Sequence, residues 1–428
     1  MRIAGLLGAG KGGQVVIMLA VTALTARTLG VTDFGTLILI QTVILAVGKI
    51  ARFQTWRALV YYGAMAREAK DKARLQRIIK FSGLLDILTG LVAFLIVIVV
   101  SGSAIKLFGL APAFNETMQL YGSVILLMTL NGTPNGILQL FDRFDRIAWL
   151  TIVAPLVRLA GSLYLFTQDG SLIDFLIVWY LADAVSVLAL LLAGLFTLRE
   201  EGLTKGLFKR SPSLFVPEVG IWRYVTSTQL ASTLGVSTTH LPVLFVGALL
   251  GASEAGLFRV AREFAGVLAK PGPKLFGRAI YAELARLTAR NAYAARRQMI
   301  VKTSLLVGSM AFLVFTVFVV LGQQFIDLTV GPAFSGIYGT MIWLSFAGVI
   351  TSTGFALEPT LVATGSVNRA LLARFVSTMV FIPLLYVLLL QIGIIGAGMA
   401  GVVYSVMLMS LMYLSVRPKL ATGSVYDD

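Results

Sequence analysis

The sequence contains no cysteine and a single histidine. Disulfide bonds and thiolate metal sites are therefore excluded, and one histidine argues against a multi-histidine metal site. Charged residues are also scarce, at 13% of 428 residues, whereas 57% are hydrophobic. A water-soluble chain of this length does not hide so much apolar surface, so the composition indicates a polytopic membrane protein. We expect neither a metal nor another cofactor.

A cleavable signal peptide is not expected either, because the first apolar run lacks a short hydrophobic region followed by an A-x-A site. The stretch GLLGAGKGG, residues 5–13, resembles the phosphate-binding pattern G-x-x-x-x-G-K-[ST]. However, Gly12 stands where that pattern needs the Ser or Thr that holds Mg²⁺, and a long apolar run follows. We interpret the stretch as the glycine-rich first turn of a transmembrane helix.

Twelve apolar segments follow one another, each near the roughly 20 residues that a helix needs to span a bilayer. The pattern predicts an all-α polytopic membrane protein with twelve transmembrane helices. The segments begin near Gly8, Phe34, Ile78, Met118, Ala148, Leu172, Val219, Glu254, Met299, Ile337, Ala370 and Ile394.

The net charge of +15 is spread between the apolar segments and forms no single basic domain, which argues against a nucleic-acid partner. Lys and Arg concentrate in the loops that follow the second, sixth and eighth segments. The intervening loops at 29–35, 109–117 and 166–171 have neither residue. Because basic loops stay in the cytoplasm, both termini are expected there. The outward loops are short, which argues against a glycan-processing enzyme with an outer catalytic domain.

The two halves of the sequence resemble each other at an offset of about 220 residues. LGVTDFG at 29–35 returns as LGASEAG at 250–256, and PAF recurs at 112 and 332. Six helices in each half give both halves the same orientation, so the repeat is expected to be parallel, with substrate bound between halves that rock. The predicted organisation is a six-helix lobe at 1–210, a second at 211–416 and a cytoplasmic tail at 417–428.

Basic residues inside the apolar segments are candidates for a cationic cavity that binds substrate. A charge at the bilayer centre costs roughly 2.5–3.5 kcal/mol on insertion scales, so such groups are expected to face a cavity or to pair. For Lys49, Arg52, Lys270 and Lys274, near the cytoplasmic ends of the second and eighth segments, snorkelling to inner-leaflet headgroups is the alternative. The candidates are Lys49, Arg52, Arg158, Arg259, Arg262, Lys270 and Lys274.

Four further residues are candidates for ion coupling or for structural roles. Asp183 is expected to neutralise Arg158, either as a structural salt bridge or within a substrate site. Glu263 lies four residues after Arg259 and can pair with it on one helix face. His240 ends the polar stretch TSTQLASTLGVSTTH, which either lines water and sugar or forms interhelical hydrogen bonds. The fourth is Glu358.

Two prolines at corresponding places of the halves predict interrupted helices. Pro134 lies within the fourth segment and Pro359 lies near the end of the tenth. Interrupted segments in matching positions indicate the transport pathway of repeat-built transporters. Glu358, next to the second proline, is therefore a candidate cation or proton site.

The runs ARTLGVTDFGTLILIQTV (26–43) and LFVGALLGASEAGLFRVAREF (244–264), with twelve segments and basic loops after the second and eighth, carry a resemblance. The chain resembles bacterial oligosaccharide and polysaccharide flippases of the multidrug/oligosaccharidyl-lipid/polysaccharide exporter superfamily over nearly its whole length. The resemblance implies two six-helix lobes around a cationic cavity in the bacterial inner membrane. It also implies alternating-access transfer of an isoprenoid-pyrophosphate-linked oligosaccharide to the outer leaflet, with polysaccharide polymerases as partners.

Two other functions compete with a flippase for surface polysaccharide biosynthesis. A drug or cation antiporter of the same superfamily would favour acidic cavity residues, whereas arginines outnumber acids at membrane depth here. A membrane glycan-processing enzyme is less favoured, because no outer catalytic loop is visible. Related lipid II flippases usually have two further helices, so a peptidoglycan precursor is the less favoured substrate.

Overall fold

The computed structural model describes residues 2–205, 218–269, 280, 283–284, 286–287, 290, 292–364 and 366–421, and this part of the chain contains no β-strand. Its helices run in chain order, and we number them accordingly. They are α1 (Arg2–Ala51), α2 (Thr55–Glu68), α3 (Lys72–Leu107), α4 (Phe114–Gly122), α5 (Val124–Thr129), α6 (Gly132–Leu140), α7 (Phe144–Thr167), α8 (Leu172–Glu200), α9 (Ile221–Leu234), α10 (Val236–Thr239), α11 (Leu241–Leu250), α12 (Ala252–Ala269), α13 (Tyr293–Thr329), a 3₁₀ helix (Pro332–Ile337), α14 (Tyr338–Thr353), α15 (Leu357–Ala363), α16 (Val367–Ile392) and α17 (Ile394–Ala421).

The first helix is two spans joined at a glycine. Gly30 has φ 70° and ψ −178°, which lie outside the helical region, so α1 has one arm before this residue and one after it. A positive φ of this kind strains residues with a Cβ but not glycine. The turn lies within LGVTDFG, the short loop that the sequence predicts between the first two spans.

Twelve spans are present in the described residues when the two arms of α1 are counted separately. The α4–α6 run, the α9–α11 run, and the 3₁₀ helix with α14 and α15 each form one span. In the part of the chain that the structure describes, eight helical stretches are long and apolar enough to cross a membrane, and the first of them includes residues of both arms of α1. The remaining spans are interrupted or, in α12, carry charges. The predicted fold class is confirmed.

In the described residues, the two halves share one order of elements from the third span and its counterpart, the ninth, onward. The long helices α3 and α13, of 36 and 37 residues, are each followed by an interrupted span. The interruptions fall immediately before α6 and α15. Pro134 and Pro359 lie in the first turn of these two helices. A proline is tolerated there because that backbone nitrogen has no partner within the helix. The predicted interruptions are thus present, and each proline lies in the first turn of the helix that follows the break.

Contacts divide the chain into a unit of residues 1–244 and a unit of residues 245–428. In the first unit, α9 and α10 contact α1, and α9 also contacts α2. This contact brings the start of the seventh span into the first unit, although the sequence repeat assigns it to the second lobe. The division into lobes at 1–210 and 211–416 rests on the sequence repeat and stays a prediction, because the compactness of a unit is a different criterion.

Helix α2 is a short amphipathic helix after the second span. Leu59 and Ala66 are fully buried, whereas Arg57 and Arg67 on other faces are exposed. The buried side packs into one apolar cluster with residues of α3, α6 and α8. A second cluster joins Ala58 of α2 to α3 and α9. Helix α2 is thereby held against four other spans, those of α3, α6, α8 and α9.

Candidate functional site

A cavity of about 250 Å³ lies in the first unit, where the second arm of α1 ends. The break between α5 and α6 and the helices α9 and α10 supply its other walls. Among the described residues that line it are the cationic side chains of Lys49 and Arg52, together with His240, and no carboxylate. Neutral polar groups come from Gln54, Thr129, Asn131 and Ser232. The structure thus brings together three residues that the sequence singled out.

Lys49 and Arg52 reach the cavity because α1 ends beside it. The last carbonyls of a helix have no partner within it. Here Gln229 of α9 donates from Nε2 to the carbonyls of Lys49 and Ile50, at 2.9 Å each. The chain is then non-helical for three residues before α2 begins. The capped end and the bend together expose both cationic side chains to the cavity.

Arg52 crosses to the interrupted fourth span. Its Nη1 donates to the carbonyl of Met128 at 2.9 Å, just before the break between α5 and α6. Lys49 donates from Nζ to Thr239 Oγ1 at 3.3 Å, and Gln54 donates to Ser232 Oγ at 2.7 Å. These three hydrogen bonds join the end of α1 and the loop after it to the fourth and seventh spans, and each acceptor is a neutral oxygen atom.

A buried carboxylate that was not among the residues predicted from the sequence lies next to this cavity. Asp86 of α3 is 1% exposed. It accepts hydrogen bonds from Thr55 Oγ1 at 2.6 Å and from both the N–H and the Oγ1 of Thr133 at 2.7 Å. The available signal was a lone acid inside the apolar run FSGLLDILTGLVAFL of the third span. Such a residue is a functional candidate by default.

Arg158 and Asp183 form the ion pair that the sequence predicted between α7 and α8. Nη2 of Arg158 lies 2.9 Å from both carboxylate oxygens, and each side chain is 11% exposed. The guanidinium also lies over the ring of Trp179, 5.2 Å from its centroid. Neither charged residue lines the cavity described above. In this structure, Arg158 and Asp183 therefore bind each other outside that cavity.

The second unit contains the remaining described candidates. On α12, Arg259 donates to Glu263 Oε1 from Nε at 2.9 Å and from Nη2 at 2.6 Å, so the i,i+4 pair is formed. Arg262 lies on the same helix and is partly buried. Glu358 of α15 accepts two hydrogen bonds from Arg374 of α16, at 2.7 and 2.6 Å. Lys270 and Lys274 lie outside the described residues.

The polar side chains of the seventh span have three uses. Thr226, Ser227 and Thr228 donate to carbonyls of their own helix. Gln229 bonds across to α1, as described, while Ser232 and His240 line the cavity. Both expectations for this stretch, interhelical bonding and a polar lining, therefore describe different residues of it. Within the described part of the chain, no group of three or more His, Asp or Glu residues is placed to hold a metal ion.

A family model described as "Polysaccharide biosynthesis protein" matches residues 4–270, which is more than half of the 428 residues. The chain belongs to this family. Among its relatives is the inner membrane protein YghQ of Escherichia coli (strain K12), which is 29% identical over 341 residues. That match covers 77% of this chain and 92% of the relative.

Solved structures share the fold of this family member. An inward-facing MATE family multidrug resistance transporter of the MOP superfamily is 14% identical with a TM-score of 0.78, over 95% of this chain and 94% of that one. The lipid II flippase MurJ, in an inward closed conformation, is 12% identical with a TM-score of 0.72, over 96% and 87%. These likenesses show the fold of a helical membrane protein, and the proteins that share it are transporters, not enzymes.

Proposed function

We propose that this protein is a flippase for surface polysaccharide biosynthesis. It moves an isoprenoid-pyrophosphate-linked oligosaccharide from the cytoplasmic to the outer leaflet of the bacterial inner membrane by alternating access. Membership of the polysaccharide biosynthesis family and the inner-membrane relative support this proposal. Both termini lie in the cytoplasm in this proposal, and a polysaccharide polymerase uses the product.

The observation that carries the proposal is the lining of the cavity. Lys49 and Arg52 face it, and no carboxylate is among the described residues that line it. A phosphate anion gains charge-assisted hydrogen bonds from such groups, whereas an organic cation is repelled. The volume of about 250 Å³ is below the range of roughly 300–1,000 Å³ typical of drug-sized ligands. It suits a pyrophosphate group while the isoprenoid tail stays in lipid.

The other candidate cations have less freedom to receive a headgroup. Arg158 and Arg259 are already paired with carboxylates in this structure. We therefore assign the first contact with the pyrophosphate to Lys49 and Arg52. Arg262 remains a candidate for a later contact, together with Lys270 and Lys274.

The MATE neighbours make a drug or cation antiporter the second candidate. An antiporter for cations needs a carboxylate that is available to them. Four acids of the spans, Asp86, Asp183, Glu263 and Glu358, each accept hydrogen bonds from the chain itself. This engagement favours an anionic over a cationic substrate.

The deciding experiment measures in which leaflet lipid-linked oligosaccharide lies, in cells that lack a redundant flippase. Depletion of the protein is expected to accumulate it in the cytoplasmic leaflet. Wild type and Arg57→Ala restore export, whereas Lys49→Ala and Arg52→Ala do not. Arg57 is the matched control because it lies only five residues after Arg52 but does not line the cavity. Its side chain is exposed, and its guanidinium lies over the ring of Trp56. An unchanged leaflet distribution on depletion would refute the flippase and favour the antiporter.

A further inference from the structure

Asp86 lies where two helices begin. Thr55, which donates to Asp86 Oδ1, is the first residue of α2, and Thr133, which donates to Oδ2, is the second residue of α6. The side chain of Asn131, which precedes α6, makes no capping hydrogen bond. Asp86 therefore supplies the acceptor for the backbone N–H of Thr133 from a different helix. Negative charge at a helix N-terminus is stabilised by the helix dipole.

A glycine permits this close approach. A Cβ at Gly132 would contact Thr55 Oγ1 and would lie 2.6 Å from one carboxylate oxygen of Asp86. No side chain can occupy that space without moving one of the groups. The carboxylate, the two threonines and the glycine thus form one packed junction of α2, α3 and α6.

The junction lies directly beside Arg52. Arg52 is three residues before Thr55, and its acceptor Met128 is five residues before Thr133. Both ends of the Arg52–Met128 hydrogen bond therefore belong to chain segments that lead into the two helices held by Asp86. The carboxylate is also near enough for its charge to attract the guanidinium. Arg52 and Met128 line the cavity.

We propose that Asp86 is a positioning residue of the anion site. By hydrogen bonding to the first turns of both α2 and α6, it holds these helix starts together and thereby orients the Arg52 guanidinium toward the headgroup. This inference rests on the proposed function. Asp86 does not touch the substrate. It acts through Arg52, because a loosened junction frees the segment from Arg52 to Gln54 and separates the guanidinium from the cavity wall.

The test is a double-mutant cycle on the purified full chain in lipid nanodiscs. The probes are an isoprenoid pyrophosphate, the corresponding monophosphate and the corresponding alcohol. Asp86→Asn is expected to weaken pyrophosphate binding about tenfold, which corresponds to about 1.4 kcal/mol. Arg52→Ala weakens it at least as much, and the double variant is no weaker than Arg52→Ala alone, because both changes remove the same contact.

Two further variants separate positioning from folding. Asp71→Ala removes the acidic cap of the same helix, α3. The Asp71 carboxylate accepts from the Arg74 N–H at 2.8 Å, and Asp71 is not among the residues that line the cavity. It is expected to lower thermal stability and to keep wild-type affinity. If Asp86→Asn does not fold, Thr55→Val removes one junction donor more gently, and Thr55→Ser, which keeps the hydroxyl, retains more of the affinity.

The outcomes distinguish the two proposals. If Asp86→Asn and Thr55→Val lower stability but keep affinity, or if the effects of Asp86→Asn and Arg52→Ala add, the positioning role is wrong and the flippase stands. If wild type binds the alcohol as tightly as the pyrophosphate, the cavity is not a phosphate site, and both proposals fall. Equal affinity for monophosphate and pyrophosphate keeps the positioning role and shows that one phosphate suffices.

Discussion

Replacing the Arg158–Asp183 pair tests whether this charge pair stabilises the first unit or binds substrate. The pair is almost completely buried, with bonds of 2.9 Å and side chains that are 11% exposed. Removing one partner from a buried pair leaves an uncompensated charge and costs about 3–5 kcal/mol. At about 2–4 °C per kcal/mol for a domain of 150–250 residues, Arg158→Met or Asp183→Asn should each lower the melting temperature by about 6–20 °C.

The double variant Arg158→Met/Asp183→Leu should regain most of that loss. Replacing a buried ion pair by apolar side chains of similar volume is often neutral or stabilising. The loss of the contact between Arg158 and Trp179, about 0.5–2 kcal/mol, is the expected remainder. Thermal unfolding of the detergent-solubilised protein at one fixed scan rate, followed by circular dichroism, measures all three variants.

Either of two results would refute this reasoning. Single variants that melt within about 2 °C of wild type would mean that the pair is not desolvated as its burial implies. A double variant that melts like wild type but no longer binds isoprenoid pyrophosphate would make Arg158 a binding residue. We expect the double variant to keep its affinity, because neither residue lines the cavity.

Three further predictions concern packing, capping and topology. Gly132→Ala should destabilise the protein by about 1–3 kcal/mol, because the added Cβ overpacks the junction. Gly83→Ala is the control: a Cβ there meets nothing within 4 Å, so the variant should be as stable as wild type or more stable by up to about 1 kcal/mol of helix propensity. Thermal unfolding of both variants compares them directly. Gln229→Leu should cost about 1–3 kcal/mol, because it leaves two carbonyls at the end of α1 without their donor, and a melting temperature equal to that of wild type would contradict the capping role. The chain has no native cysteine, so single introduced cysteines can be labelled selectively. A membrane-impermeant maleimide should label Ala111→Cys in intact spheroplasts, and it should label Lys70→Cys only after the cells are opened. The reverse pattern would show that the topology is opposite to the proposed one.

Much of the fold follows from local properties of the sequence. Runs of apolar residues define the spans because a bilayer demands about 20 of them per helix. Gly30 marks a turn because glycine permits a positive φ there. Pro134 and Pro359 mark the starts of two helices because proline has no backbone N–H and is tolerated in a first turn. The Arg259–Glu263 pair was equally predictable, because four residues apart on one helix is a fixed distance.

The cavity was predictable only in part. Lys49 and Arg52 were visible as basic residues within an apolar segment, and the general expectation of a cationic cavity came from them and from the resemblance. The hydrogen-bond and ion-pair partners of the polar side chains could not be read from the sequence. Nothing in the spacing of the sequence joins Gln229 to the end of α1, or Glu358 to Arg374.

Asp86 shows the physical reason for this division. Hydropathy and helix spacing are properties of neighbours along the chain, so they are written in the sequence itself. A buried carboxylate must instead find donors on whichever helices pack beside it, and its partners are 31 and 47 residues away. Helix packing determines which charged group is hydrogen-bonded to neutral donors, which forms an ion pair and which faces an open cavity. Only the tertiary structure therefore decides these assignments.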